Sequence, residues 1–101
     1  MTALPRPDGA ETTRSQLVLA GSVSVRPERF GALLYDFRTR KLMFLKTPRL
    51  AAVIESMDGD RTVAECFDAV EAGPEERAGL VGVIDHLLSI GMLQYAPVTK
   101  E

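Results

Sequence analysis

The hydrophobic pattern of this chain changes once, near residue 47, and that change limits the folds that it can form. Before it, residues 17–46 carry short apolar runs separated by Gly21 and Pro27, which is typical of strands. After it, apolar residues recur at intervals of three and four, which is typical of amphipathic helices. Strands first and helices afterwards, joined by short links, predict an antiparallel sheet covered by helices.

Three strands are predicted in the first half of the chain. Residues 17–25 form the first strand as two short runs, residues 32–37 form the second, and residues 41–46 form the third. The polar link at 38–40 has the length of a hairpin connection. We therefore expect the second and third strands to pair.

Helix start and stop signals divide the second half. Thr47 and Pro48 fit an N-cap and a first helical position, and Gly59 fits the left-handed residue after that helix. Thr62 and Glu65 form a capping box, which begins a second helix. We expect this second helix to run to about residue 72.

A third helix is predicted to begin at Pro74 and to end at Gly91, followed by a short strand at 92–95. The expected class is α+β, a small winged-helix-like domain with a three-stranded antiparallel sheet followed by three helices. The chain of 101 residues has the length of one domain. It is divided accordingly into a disordered tail at 1–16, the domain at 17–96 and a short C-terminal tail at 97–101.

Motifs of the common enzyme classes are absent from the sequence. It contains no Gly-rich phosphate loop, no His-Glu-x-x-His and no Cys-x-x-Cys. One Cys and one His cannot build a zinc site without other ligands. Cys66 lies near the apolar side of the second helix and is expected to be a buried thiol, while His86 is expected at the surface. We expect a non-catalytic protein without cofactor or metal.

Charge is distributed unevenly along the chain. Residues 26–49 have a net charge of +5 and residues 50–101 a net charge of −7, within a total of −2. The second helix has no Lys or Arg and the third has only Arg77, so a phosphate backbone would repel both helices. No apolar run has the length of a membrane span, and no signal peptide is recognisable at the N-terminus. We expect a cytoplasmic protein.

The third predicted strand is apolar on both faces. Along residues 41–46, Met43 and Leu45 point to one face and Leu42 and Phe44 to the other. A sheet covered on one side should show one polar face, so a further chain is expected to cover the second face. An extended peptide that pairs with this strand would do so, and the neighbouring cations favour an acidic peptide.

Other interpretations of the basic hairpin stay open. Lys and Arg are common on solvated edge strands, where they prevent aggregation. A winged-helix transcriptional regulator could contact DNA through the hairpin alone. A plain oligomerisation domain could pair this edge with a second copy as a homodimer. If the Met43 N–H points to the open edge, Met43→Pro weakens peptide binding, and if it points inward, the sheet is destabilised.

Several motifs occur in an order that resembles a known family. Residues 44–48 (FLKTP), residues 57–63 (MDGDRTV) and residues 90–93 (IGML) are similar to the peptide chaperone family of pyrroloquinoline quinone biosynthesis. Residues 25–36 are more specifically similar to its mycofactocin branch. The resemblance covers about residues 22–95.

The resemblance implies a precursor-peptide recognition element. Such a protein binds the leader of a ribosomally made peptide along the third strand, beside the third helix, and presents it to a radical S-adenosylmethionine maturase. In such a system the iron–sulfur chemistry belongs to the maturase. The acidic helices and the lack of an apolar span predict no nucleic-acid or membrane partner. About half of the helix positions are expected to prove structural. The site residues implied are Arg40, Lys41, Leu42, Met43, Phe44, Leu45 and Lys46 on the pairing edge, and Leu80, Ile84, Leu87 and Leu88 on the helix wall.

Overall fold

The structure is a computed structural model that describes residues 10–96 of the chain. Within this range the fold is mixed α+β, and every strand pairing is antiparallel. Four helices and six strands occur in the described range. In chain order they are α1 (Ala10–Thr13), β1 (Gln16–Leu19), β2 (Val23–Glu28), β3 (Gly31–Asp36), β4 (Lys41–Leu45), α2 (Pro48–Glu55), β5 (Asp58–Thr62), α3 (Val63–Ala69), α4 (Pro74–Ser89) and β6 (Leu93–Tyr95).

The strands form two three-stranded sheets, with the orders β5–β1–β6 and β2–β3–β4. The second sheet is a meander of consecutive strands, and the predicted pairing across the 38–40 link is confirmed. The strand predicted at 17–25 is instead divided between the sheets. A turn closed by the Val23 N–H on the Ala20 carbonyl, at 3.0 Å, carries the chain from β1 into β2. The single predicted sheet is therefore corrected to two.

Residues 10–16 are part of the fold, which corrects the predicted tail at 1–16. The α1 turn packs against α3 and α4, and the Thr12 hydroxyl donates to Asp85 Oδ1 at 2.6 Å. Gln16 begins β1. Residues 1–9 of that predicted tail, and the predicted C-terminal tail at 97–101, lie outside the described residues.

The segment around the predicted helix end at Gly59 forms β5. Helix α2 ends earlier, with Ser56 as its C-cap, so Gly59 does not follow the helix directly. Gly59 has a φ of +89°, and the pairing of β1 with β5 shifts register beside it. The main-chain N–H groups of Asp60 and Arg61 donate to the Asp58 carboxylate and hold the pKa of that carboxyl below its ordinary value.

The predicted helix caps are confirmed. Thr47 Oγ1 accepts the Leu50 N–H at 3.0 Å. Thr62 Oγ1 accepts the Glu65 N–H at 3.2 Å, and Glu65 Oε1 accepts the Thr62 N–H at 2.8 Å, which completes the capping box. Gly91 follows α4 with a φ of +83°, as expected of a left-handed residue after a helix.

Helix α3 ends at Ala69, before the residue predicted. Glu71 has a φ of +58°, and its N–H donates to the Asp68 carbonyl at 3.0 Å. The Ala72 N–H donates to the Phe67 carbonyl, also at 3.0 Å. These two bonds form a Schellman motif around a residue that is not glycine, and the absence of a glycine explains why the sequence did not indicate this helix end.

The hydrophobic core lies between the sheets and the helices. Helix α2 packs on β3 and β4, whereas α4 packs on β6 and α1. Cys66 is buried in the core as predicted, and His86 is exposed as predicted. The largest hydrophobic side chains that are fully enclosed in the described residues are Phe67, Leu17, Leu34, Leu45, Ile54, Ile84, Leu87, Met92, Leu93, Val53 and Val63.

Candidate functional site

Strand β4 lies at the edge of the β2–β3–β4 sheet. It pairs with β3 on one side, in a register that places Met43 opposite Leu34 and Leu45 opposite Ala32. Among residues 10–96 no strand pairs with its other side. The strand that the sequence singled out therefore has one open edge.

The hydrogen bonds of β3 show which groups of β4 face this edge. The Phe37 N–H donates to the Ser22 carbonyl at 3.1 Å, so the odd-numbered positions of β3 bond toward β2. Bonding direction alternates along an antiparallel strand, so the even-numbered positions of β3 bond to β4. The Met43 N–H therefore points inward to β3. The N–H and C=O groups of Leu42 and Phe44 point to the open edge.

Side-chain burial along β4 follows the predicted alternation. Leu45 is fully buried and Met43 is half-buried against the core. The side chains between and beside them face outward, with Leu42 63% exposed and Phe44 45% exposed. The prediction that both faces of this strand are apolar is confirmed.

The apolar surface continues onto the neighbouring strand. Tyr35 lies opposite Leu42 and Leu33 opposite Phe44, and both β3 side chains are half-buried on the same outer face. We refer to these four residues, Leu33, Tyr35, Leu42 and Phe44, as the outer patch. The patch borders the open edge directly.

Cations surround the outer patch and the edge. Arg26 of β2 lies opposite Leu33, with its side chain 77% exposed and its Nε 3.4 Å from the Glu28 carboxylate. The Arg38 side chain in the β3–β4 turn is 64% exposed. The exposed cations along the edge itself are Arg40, Lys41 and Lys46.

Asp36 organises the turn that presents these cations. Its carboxylate is buried, and Oδ1 accepts the Arg38 N–H at 3.0 Å. The Ser22 hydroxyl, the N–H groups of Arg38 and Thr39 and the Arg38 charge hold the pKa of Asp36 below its ordinary value, against the opposing effect of burial. The Asp36 carbonyl accepts the Arg40 N–H at 2.6 Å, and Arg40 has a φ of +64°.

Sequence reasoning missed Asp36, although a signal for it exists. The alternation that places Leu34 on the inner face of β3 places Asp36 there as well. A carboxylate on the buried face just before a turn is typical of a residue that hydrogen-bonds the turn's own main chain.

The predicted helix wall is largely part of the core. Ile84 and Leu87 are fully buried and Leu80 is 7% exposed, whereas Leu88 is half-buried at the margin of the core. Because three of these four side chains are enclosed by the protein itself, they do not face an open groove. This corrects the expectation that they line one, and the helix that packs on β4 is α2.

The described residues 10–96 contain no group of three or more His, Cys, Asp or Glu side chains placed to hold a metal ion. Within the same range, no helix combines the length and the apolar character that crossing a membrane requires. The candidate peptide site consists of the open edge of β4 and the exposed cations along it, and the outer patch borders this site.

The sequence profile of the Peptide chaperone MftB family matches residues 16–94, from the first residue of β1 into β6. This chain belongs to the MftB peptide chaperone family. The resemblance to mycofactocin peptide chaperones that the sequence motifs indicated is confirmed. The family match covers both sheets, the open edge of β4 and the outer patch.

Individual MftB relatives agree with the family match. The peptide chaperone MftB of Mycobacterium ulcerans is 40% identical over 75 residues, which cover 74% of this chain and 69% of the relative. That of Mycolicibacterium smegmatis is 37% identical over 71 residues, 70% of each chain. That of Mycobacterium tuberculosis is 60% identical over 35 residues, 35% of this chain and 32% of the relative. No solved structure matches the chain, so the winged-helix description stays a prediction.

Proposed function

We propose that this chain binds the leader of a ribosomally made precursor peptide as an added strand on β4 and presents it to a radical S-adenosylmethionine maturase in mycofactocin biosynthesis. The observation that supports this most directly is the pair of outward-facing main-chain groups at Leu42 and Phe44. An edge strand with free N–H and C=O groups is what an extended peptide needs for strand addition. Membership of a peptide chaperone family agrees with it.

The edge defines how such a peptide would lie. Leu42 and Phe44 each offer one donor and one acceptor, so an antiparallel leader strand would form hydrogen-bonded pairs with both. Each net hydrogen bond contributes about 0.5–1.5 kcal/mol. The leader side chains opposite these two residues would lie beside them on the outer face, where apolar groups gain contact. Apolar residues at every second leader position are therefore favoured.

Charge would contribute to the speed of encounter. Arg40, Lys41 and Lys46 lie exposed along the edge, and the buried Asp36 is the carboxylate nearest to the turn. Such an arrangement attracts an acidic segment and orients it before the main-chain bonds form. The leader favoured by this edge is acidic near its ends and apolar at alternate positions in its centre.

The role assigned to the chain is that of an adaptor. Holding a peptide beside its enzyme raises the effective concentration of the substrate and lowers no chemical barrier by itself. The sequence contains one Cys, which is too few for an iron–sulfur cluster, so we assign the radical chemistry to the maturase.

Amide hydrogen exchange on the full chain, with and without the synthetic precursor peptide, tests the proposal. We expect the N–H groups of Leu42 and Phe44 to exchange at least about tenfold more slowly with peptide. Met43 should change little, because its N–H is already bonded to β3. Tyr95 is the matched control and should not change, because its N–H faces the open side of β6, the edge strand of the other sheet. Protection at β6 without protection at Leu42 and Phe44 would contradict the β4 site.

A further inference from the structure

The outer patch stays open when a peptide strand occupies the β4 edge. Neighbouring strands lie about 4.8 Å apart, so an added strand contacts Leu42 and Phe44 and remains one full strand away from Leu33 and Tyr35. The apolar side chains of the added strand that lie opposite Leu42 and Phe44 would extend the outer patch by one strand. Peptide binding therefore enlarges this exposed apolar surface and does not cover it.

The charge around the patch indicates what could cover it. Arg26 borders the patch on β2, and the Arg38 and Arg40 side chains leave from the turn at its end. Two of these cations have a carboxylate beside them, because Arg26 lies 3.4 Å from Glu28 and Arg38 lies 3.9 Å from the buried Asp36. The excess of cations remains, since residues 26–49 have a net charge of +5 with both carboxylates counted. The complementary surface has an apolar centre and carboxylates at its rim, which is how protein partners match in shape and charge.

Two other occupants fit the patch less well. A two-fold related second copy would place the same patch against itself, so the cations around one patch would meet the cations around the other. Single-stranded nucleic acid needs aromatic side chains on which bases stack, and half of the patch consists of Leu33 and Leu42. A protein with carboxylates at its contact surface is favoured over both.

We propose that the outer patch docks an apolar, carboxylate-rimmed surface of the enzyme that receives the peptide. The identity of that enzyme rests on the proposed function, whereas the surface itself rests on the exposure of Leu42 and Phe44 and on the surrounding cations. The enzyme would contact the chaperone and the added peptide strand together. Each ligand then strengthens the binding of the other by the same factor, because coupling between two binding sites is reciprocal.

Substitutions on β3 separate this surface from the peptide edge. Tyr35→Thr and Leu33→Thr remove patch contacts, keep a residue suited to strands and leave the β4 edge amides in place. In the full chain, we expect affinity for the synthetic precursor peptide to stay within about twofold and affinity for the radical S-adenosylmethionine maturase to fall at least about tenfold. Gln94→Thr, at an exposed strand position of the other sheet, is the control and should change neither.

A second variant tests the cations around the patch and leaves every β3 side chain unchanged. Arg26→Gln removes an exposed rim cation, and we expect it to reduce maturase affinity about threefold and to weaken the salt dependence of association. Thermal unfolding of each variant measures whether the fold is retained. Unchanged maturase affinity in Tyr35→Thr and Arg26→Gln, or no maturase binding by the natural sequence, would overturn the proposal.

The remaining outcomes distinguish this surface from the proposed function. Equal loss of peptide and maturase affinity in Tyr35→Thr would make the patch part of the peptide site and overturn the inference. A dimer seen by light scattering and abolished by Tyr35→Thr, or patch-dependent binding of a mixed-sequence single-stranded oligonucleotide, would assign the patch to another occupant. If the chain binds the maturase through the patch but does not bind the peptide, the proposed function is contradicted and the inference about the patch is supported.

Discussion

Glu71 holds a backbone conformation that L-residues avoid. Its φ of +58° places it in the left-handed region directly after α3, where most helices have glycine. We expect Glu71→Gly to raise the free energy of unfolding by about 0.5–1 kcal/mol, because glycine adopts this conformation without the clash of a Cβ atom. Urea unfolding measures the change. Glu71→Ala keeps the Cβ atom and serves as the control, and a lower stability of the glycine variant would contradict the argument.

Asp36 makes the hairpin sensitive to acid. Its pKa is held below the ordinary value, chiefly by the Ser22 hydroxyl, so its ionised form stabilises the folded state. This contribution is complete above the pKa of the unfolded chain and is lost as the pH falls through the lower, folded value. We expect the stability of Asp36→Asn to be lower near neutral pH and to fall less steeply below about pH 4.

Urea midpoints for the two proteins across that pH range measure the effect of Asp36. Asp58 also has a lowered pKa, held by the N–H groups of Asp60 and Arg61, so an acid-dependent loss will remain in the variant. Parallel pH profiles for Asp36→Asn and the natural sequence would contradict the assignment to Asp36.

Within β4, the direction of a main-chain N–H decides whether its removal weakens peptide binding or destabilises the fold. Phe44→Pro removes an N–H that faces the open edge, and proline is tolerated on that side of an edge strand. We expect leader affinity to fall roughly tenfold, which corresponds to about 1.4 kcal/mol, with a small change in stability. Phe44→Ala, which keeps the N–H, separates the main-chain contribution from the loss of the ring.

Met43→Pro is the opposite case on the same strand. Its N–H points to β3, so proline leaves the partner carbonyl of Leu34 without its donor, at a cost of about 1–3 kcal/mol. We expect thermal unfolding to show a destabilised sheet. Of the two outcomes that the sequence left open for this substitution, the structure selects loss of stability.

The Phe44→Pro variant provides the contradicting outcome for the binding site. If it folds and binds the leader as tightly as the natural sequence does, the peptide does not add to the β4 edge.

For the whole molecule, the separation of charge between the hairpin and the helices should control how fast a ligand arrives. Reversal of charge at Arg40 and Lys41 is expected to slow association with the precursor peptide roughly tenfold at low salt, with little change in dissociation. Stopped-flow fluorescence measures both rates. Arg61→Glu, an exposed change on β5, is the matched control. A dominant effect on dissociation would show that these cations bind the peptide directly.

The same measurement with duplex DNA tests the regulator alternative. Phosphate contacts through the hairpin would produce strong binding to any duplex and a steep fall in affinity with salt. The acidic helices α3 and α4 oppose such contacts, with Glu65, Asp68, Glu75 and Glu76 exposed on them. We expect no binding to duplex DNA at physiological salt.

Local features of this protein were predictable from its sequence because each depends on residues only a few positions apart. The caps at Thr47 and Thr62, the end of α4 at Gly91 and the alternation along β4 all follow from such short-range geometry. The family resemblance was also recognisable from the sequence, because it depends on short motifs in a fixed order. The ends of α2 and α3 are the exceptions, because α2 ends before Gly59 and the left-handed residue after α3 is Glu71, which is not a glycine.

Only the tertiary structure decided which strands share a sheet and which apolar residues face the solvent. Gly21 breaks the apolar run between β1 and β2, but nothing local shows that β1 pairs with β5 and β6, which lie far along the chain. Leu42 and Leu87 are the same residue type and each follows a polar residue and precedes an apolar one, yet Leu42 is 63% exposed and Leu87 is fully buried. Pairing and burial depend on contacts between residues distant in sequence, and apolar spacing within one segment contains no information about its partner.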